Sequence, residues 1–252
     1  MEGIKRKAFQ GVINIVKFNW QFYVIAIITI AGLQIAEQFL PPSARLFADF
    51  FILFSGLGIL VSLAVSLYIY DLSNLYTLDW LTASSPKQIV NINAGFDETS
   101  ALLAQKYPTA NLQVFDFYDP TKHTEVSIER ARKAYPPYPG TQTISTNAIP
   151  LKENSTDIIF LILAAHEIRS EEERIIFFKQ LKNALSSTGK IIVVEHQRDF
   201  ANFMAYNFGF FHFHSTTTWK KAFEDSDLTL EKEFKITPFI STFIVSNNGA
   251  TS

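Results

Sequence analysis

Residues 18–36 contain no charged side chain, and neither do residues 50–70. Each run of about 20 residues is long enough to cross a hydrocarbon core of roughly 30 Å as a helix. Lipid offers the backbone no hydrogen-bond partner, so such runs must satisfy their own N–H and C=O groups. Between them lies a polar, proline-broken connection, with Glu37, Pro41, Pro42 and Arg45. The pattern predicts a helical hairpin with spans at about 18–36 and 50–70, within an N-terminal segment of residues 1–70. Trp20, Tyr23, Tyr68 and Tyr70 sit near the span ends, where amphipathic rings favour the membrane interface. Two alternatives stand beside this reading: buried helices of a soluble domain, and a cleaved signal peptide. The second lacks a small-residue cleavage site after the first run.

Lys5, Arg6, Lys7 and Lys17 precede the first run, against Arg45 alone in the connection. This charge bias predicts that both termini face the cytoplasm, giving a multi-pass membrane protein with its C-terminal domain on that side. Residues 71–86 mix apolar, aromatic and acidic residues and read as an interfacial linker. There Tyr76 and Trp80, with Tyr70, either line an approach for a lipid-soluble substrate or hold the linker at the headgroups.

Beyond Pro86 the pattern changes to alternating strands and helices. Residues 88–92 read as a buried strand, followed by a tight turn centred on Ala94-Gly95, a helix at about 98–106 and a strand at 112–115 ending on Asp116. A polar loop (117–124), a helix (125–135), a Pro-rich turn and a short strand (141–146) follow. Residues 157–164 form a continuous apolar run, as expected of a central parallel strand covered on both faces. A helix over 171–185 is expected to stop at Gly189, ahead of an apolar strand at 190–194. A helix at 218–225 and strands near 228–235 and 239–245 close the chain. The alternation predicts a doubly wound, Rossmann-like α/β domain over residues 87–246.

Strand, small-residue turn, helix, strand and terminal acid is a layout that cradles a nucleoside-bearing cofactor. The net charge of -2 argues against a nucleic-acid partner, and the absence of cysteine excludes disulfides and thiolate metal ligands.

Taken in order, these pieces resemble the class I S-adenosylmethionine (SAM)-dependent methyltransferases. The resemblance rests on Asn91-Ile92-Asn93-Ala94-Gly95-Phe96-Asp97 as the glycine-motif turn and on Asp116 as the acid closing the second strand. It continues through the Ile149-Pro150-Leu151 approach to the fourth strand and Gly189-Lys190 before the fifth, and ends on a closing antiparallel pair. It implies a methyltransferase sheet and SAM as cofactor, with Asn91, Asn93, Ala94, Gly95, Phe96, Asp97 and Asp116 around it. Asn147 and Ala148 stand where the family reads adenine. The chain departs from the family at Asn91, Asn93, Asp97 and Asn147, and only Gly95 of the three motif glycines remains. A Rossmann oxidoreductase using NAD is disfavoured by the same missing glycines.

Ala165-His166-Glu167 leaves the fourth strand and Glu195-His196 the fifth, so His166, Glu167 and His196 are the expected catalytic residues, with a carboxylate orienting the base. Residues 200–214 are densely aromatic and read either as a membrane-dipping lid or as a core helix. His212 and His214 lie in that stretch without a visible third ligand, and no metal is expected. The reading is a membrane-anchored methyltransferase acting on a hydrophobic acceptor (a quinone, phenolic pigment or lipid). The alternative is a non-catalytic, membrane-bound interaction protein with a degenerate methyltransferase fold.

Overall fold

The structure is a computed structural model, and it describes residues 6–82, 84–122 and 125–247. Lys5 and Thr124, used above, lie outside the described residues. The chain begins with α1 (Gln10–Phe18), α2 (Trp20–Ala36) and α3 (Pro42–Leu67), the last running into a π turn at Tyr68–Leu72. The stretches Trp20–Phe39 and Pro42–Leu72 are each long and apolar enough to cross a membrane, and almost none of either is buried. Ile28 and Leu60 are each 66% exposed. A core helix buries such residues, so the soluble-core alternative does not describe α2 and α3. The connection between the helices is shorter than expected. Pro42 opens α3 at a first-turn position where its missing N–H costs nothing. Arg45 is therefore a helical residue, and its guanidinium binds the carbonyls of Gln38 and Leu40.

The remaining elements are β1 (Gln88–Asn93), α4 (Ser100–Lys106), β2 (Asn111–Asp116), α5 (Val126–Ala134) and β3 (Gln142–Thr143). They continue with β4 (Thr156–Ile162), α6 (Glu171–Ala184), β5 (Leu185–His196), α7 (Phe200–Tyr206), α8 (Thr216–Glu224), β6 (Leu228–Thr237) and β7 (Ile240–Asn247). They form a seven-stranded sheet in the order β3-β2-β1-β4-β5-β7-β6. β7 is antiparallel to both β5 and β6, while β1 to β5 are parallel.

Successive residues of a strand point to opposite faces, and β4 and β5 show it. Ile159, Leu161, Ile191 and Val193 join the core under α6 and α8, with Phe177, Phe178, Trp219 and Phe223. Phe160, Ile162, Ile192 and Val194 face the other way, onto Leu103 of α4 and onto Ile69, Leu75, Leu78 and Leu81. The stretch expected to be an interfacial linker thus covers one face of the sheet. Gly189 does not stop α6: that helix ends at Ala184 and β5 begins at Leu185. Residues 186–189 instead form an irregular excursion where the β4–β5 register shifts between Thr156 and Ile158. A Cβ on Gly189 would stand 2.6 Å from the carbonyl oxygen of Thr156, so close backbone approach is what requires glycine there.

Candidate functional site

In parallel strands all carboxyl ends share one edge, and here that edge carries Asn93, Asp116 and the residues that leave β4 and β5. Asn93 at the end of β1 is in register with Asp116 at the end of β2. Gly95 has φ +99°, a left-handed conformation suited to glycine. The turn is closed by its own side chains. The Asn93 carbonyl accepts from Gly95 N–H at 3.0 Å, and its amide donates to Phe115 O. Asp97 Oδ1 accepts from the N–H groups of Thr99 and Ser100, the first donors of α4. Asn91, buried, donates to the hydroxyls of Thr99 and Ser100. The motif residues that differ from the family therefore have structural partners within the turn and the start of α4.

Asp116 is buried, takes the N–H of Tyr118, and is ion-paired with Arg132 of α5. The Arg132 guanidinium also lies 4.5 Å from the centre of the Tyr118 ring. Phe96 packs edge-on against Phe18 and at a tilt against Tyr135, so α1 and α5 together cover the turn. The arrangement still fits a nucleoside cofactor that carries an amine. Gly95 keeps the tight bend, the buried Oδ2 of Asp97 has no hydrogen-bond partner, and the partner of Asp116 is a side chain still 37% exposed. Asn147 and Ala148 stand apart from this group in an exposed turn, where Asn147 Oδ1 accepts from Ser145 Oγ and Ala148 N–H donates to Ser145 O.

Farther along the edge, Ala165–Glu167 forms a short 3-10 turn after β4. Glu195, fully buried at the end of β5, accepts the N–H groups of Ala164 and His166 and bonds His166 Nδ1 at 2.7 Å. A carboxylate from the fifth strand thus orients the histidine that follows the fourth. Burial opposes a charge on His166, and the carboxylates of Glu195 and Glu167 outweigh it, raising its pKa to about 10. Burial likewise pushes Glu167 up, but hydrogen bonds to His166 and His212 hold it well below the usual carboxylate range.

His212 was set aside in the sequence, yet its ring stands 5.1 Å from that of His166. Its Nδ1 meets Glu125 at 2.7 Å, and this contact lowers the Glu125 pKa. Sequence spacing gave no signal for this grouping, because 45 residues, the whole of β5 among them, lie between the two histidines.

His196 is placed differently. Its Nδ1 lies 2.9 Å from Asn202 Oδ1 and its Nε2 lies 2.8 Å from the hydroxyl of Tyr70. The Asn202 amide nitrogen donates to Asp199 and to Phe239 O, which fixes its oxygen toward the ring. The proton is therefore on Nδ1, and Nε2 accepts from Tyr70. Nε2 thus ties the turn after α3 to the sheet and Nδ1 ties α7 to it, and Phe213, stacked on His196 at 4.6 Å, also packs edge-on against His166. Tyr76 and Trp80 diverge: the first donates to Glu98 beside the cofactor turn, the second packs against Phe234 of β6.

The strand order, with its antiparallel β7 inserted between β5 and β6, is the class I SAM-dependent methyltransferase fold. No family model matches the sequence, and no curated protein matches it. Solved structures do. The pyocyanin biosynthetic protein PhzM is similar over 73% of this chain and 57% of its own, at 10% identity and a TM-score of 0.52. The PH0226 protein from Pyrococcus horikoshii OT3 is similar over 70% of this chain and 88% of its own, at 11% identity and a TM-score of 0.51. A SAM-dependent methyltransferase from Aquifex aeolicus matches over 69% of this chain and 93% of its own, at 15% identity and a TM-score of 0.47. The chain spans 60% of the length of LaPhzM and 57% of PhzM. The likeness to PhzM and to the PH0226 protein, at these identities, speaks for the fold alone.

Proposed function

We propose that this protein is a SAM-dependent methyltransferase, held in a membrane by α2 and α3, that acts on a hydrophobic acceptor such as a quinone, a phenolic pigment or a lipid headgroup. The observation that carries the reading is the turn at the end of β1, where Gly95 at φ +99° and the unpartnered Asp97 Oδ2 stand on the sheet edge shared with Asp116. Asp97 Oδ2 suits the cofactor's ammonium. Asp116 suits the ribose hydroxyls once Arg132 swings outward. The bound cofactor supplies an electrophilic methyl on a sulfonium. The chain supplies position, since holding an acceptor in line lowers the barrier by up to about 7–11 kcal/mol in favourable cases.

His166, Glu167 and Glu195 form the acceptor end. With a pKa of about 10, His166 keeps its proton at neutral pH and meets an acceptor oxygen as a charged donor. That suits an acceptor that reacts as an anion or needs no base. The apolar hairpin and the basic residues before α2 support a membrane location with the α/β part on the cytoplasmic side.

Calorimetric titration of the detergent-purified protein with SAM tests the proposal. Binding is expected for the wild type, at least about tenfold weaker for Asp116→Asn, which loses a charged acceptor. Arg132→Ala is expected to bind more tightly than the wild type. Absence of SAM binding by both the wild type and Arg132→Ala would instead establish the second reading, a non-catalytic interaction protein on the same fold. The Arg132–Asp116 pair and the self-capped turn favour that second reading.

A further inference from the structure

Outside the cofactor turn, two imidazoles and three carboxylates converge at the ends of β4 and β5. We propose that His166, Glu167 and His212 form a binding site for a divalent first-row transition-metal ion, zinc by the class of its ligands.

The first argument is spacing. One ligand atom from each of the three residues lies within 4.8 Å of the other two. His166 Nε2 is 3.2 Å and His212 Nε2 is 3.3 Å from the same oxygen, Glu167 Oε1. Charge-assisted N–H···O contacts shorten to about 2.7–2.9 Å. Two ligands each about 2.0–2.1 Å from one tetrahedral ion lie roughly 3.4 Å apart. The contacts to Glu167 match the second geometry better than the first.

The second argument is what holds the far side of each ring. His166 Nδ1 is bonded to buried Glu195 at 2.7 Å, and His212 Nδ1 to Glu125 at 2.7 Å. A metal-bound histidine gives its other nitrogen to a carboxylate, which fixes ring orientation and raises basicity. Here that arrangement occurs twice, leaving both Nε2 atoms toward Glu167. Glu195 is itself held by two backbone N–H groups, so the scaffold under His166 is rigid.

The third argument is charge. Glu125, Glu167 and Glu195 bring three negative charges to the cluster. The exposed Arg169 donates to His212 O and lies across the His212 ring, against Nδ1 as well as 2.9 Å from Nε2, and is the cation that a metal displaces. A divalent ion balances the carboxylates more completely than one guanidinium, and when bound it, in place of a protonated His166, faces the acceptor.

The proposal rests on side-chain geometry and does not depend on SAM binding, so the two titrations fail separately. Purified full-length protein, stripped with chelator, is titrated with zinc chloride by calorimetry and with cobalt chloride by visible absorption. A single saturable zinc site is expected, with cobalt bands of low-coordinate geometry. His212→Ala and Glu167→Gln are expected to weaken binding by at least tenfold, and Glu125→Gln by about 10–100-fold. His214→Gln, a neighbouring histidine outside the triad, should leave binding unchanged within about twofold of the wild type. No saturable heat, affinity unchanged in His212→Ala and Glu167→Gln, or equal loss in His214→Gln overturns the site. His212 and Glu125 are both partly exposed, so their variants test binding in a folded protein; circular dichroism confirms the fold of each.

Discussion

His196 shows how a residue marked for chemistry by its position becomes a structural one by its neighbours. It leaves β5 where catalytic side chains gather, yet it is buried with both nitrogens bonded to Tyr70 and Asn202. Burial is the main cause lowering its pKa to about 4, aided by the charge of His166 and opposed by the Asn202 hydrogen bond. The folded value thus lies below the ordinary 6.5. The unfolded chain binds the extra proton first as pH falls, so this contribution is complete above about pH 6.5 and drains away toward pH 4. Over about 2.5 pH units it amounts to roughly 3 kcal/mol. The melting temperature of the wild type should fall between pH 7 and pH 4.5 more steeply than that of His196→Gln. Parallel curves for the two proteins would mean that the imidazole is not held neutral.

The same scale explains what the sequence made legible. Gly95 and Asp116 were readable because a turn and the next strand end are local. Arg132 was not, because its place over Asp116 depends on how α5 packs across the sheet edge. His212 joined the site for the same kind of reason: its partners come from β4 and from the start of α5.

At the scale of elements, α1 is the main addition to what the sequence suggested. Hydropathy marked an uncharged run from Phe18 onward, but residues 10–18 form a separate helix, ended before Trp20, that lies over the cofactor turn. It is fixed at its start by Asp71, whose two oxygens accept Gly11 N–H at 2.7 Å and Val12 N–H at 2.8 Å. Glu98 adds a second tie, accepting from Arg6 and from Tyr76. A Cβ on Gly11 would stand 2.3 Å from Tyr70 Cβ, so this crossing tolerates only glycine without a shift. Gly11→Ala should lift α1, cost about 1–3 kcal/mol as overpacking does, and speed tryptic cleavage at Lys17. Gly32→Ala, where an added Cβ meets nothing within 4 Å, is the matched control and should leave cleavage unchanged. Equal cleavage rates would place α1 off the turn. Most strand boundaries, by contrast, were read closely because each apolar run is bounded by turn residues; β5 extends beyond its apolar run at both ends, and β3 is shorter than expected. Gly189 misled because Ser-Ser-Thr-Gly has the composition of a helix stop, and only the β4 carbonyl beside it reveals a different need.

At the scale of the molecule, the exposed apolar residues cluster in the two long helices, in α1 and in the aromatic stretch. Phe9, Ile13 and Val16, one face of α1 and its approach, are exposed. So are Phe200 at 76%, Met204, Phe208 at 84% and Phe211, and α7 packs beside α3. The aromatic stretch is therefore not a core helix. Leaving an exposed Phe in water rather than burying it forgoes roughly 1.5–3 kcal/mol, which favours an interaction surface here. If that surface enters lipid beside the hairpin, it delivers an acceptor dissolved there to the His166 end of the sheet. The sequence contains no cysteine, so one introduced thiol reports from one place. Phe208→Cys, labelled with an environment-sensitive fluorophore and reconstituted in vesicles, should be quenched by brominated acyl chains. Glu153→Cys, in an exposed loop of the α/β part, should not. Equal quenching at both positions, or none at 208, would remove the membrane from the account of substrate access and leave the aromatic stretch to be explained by a protein partner.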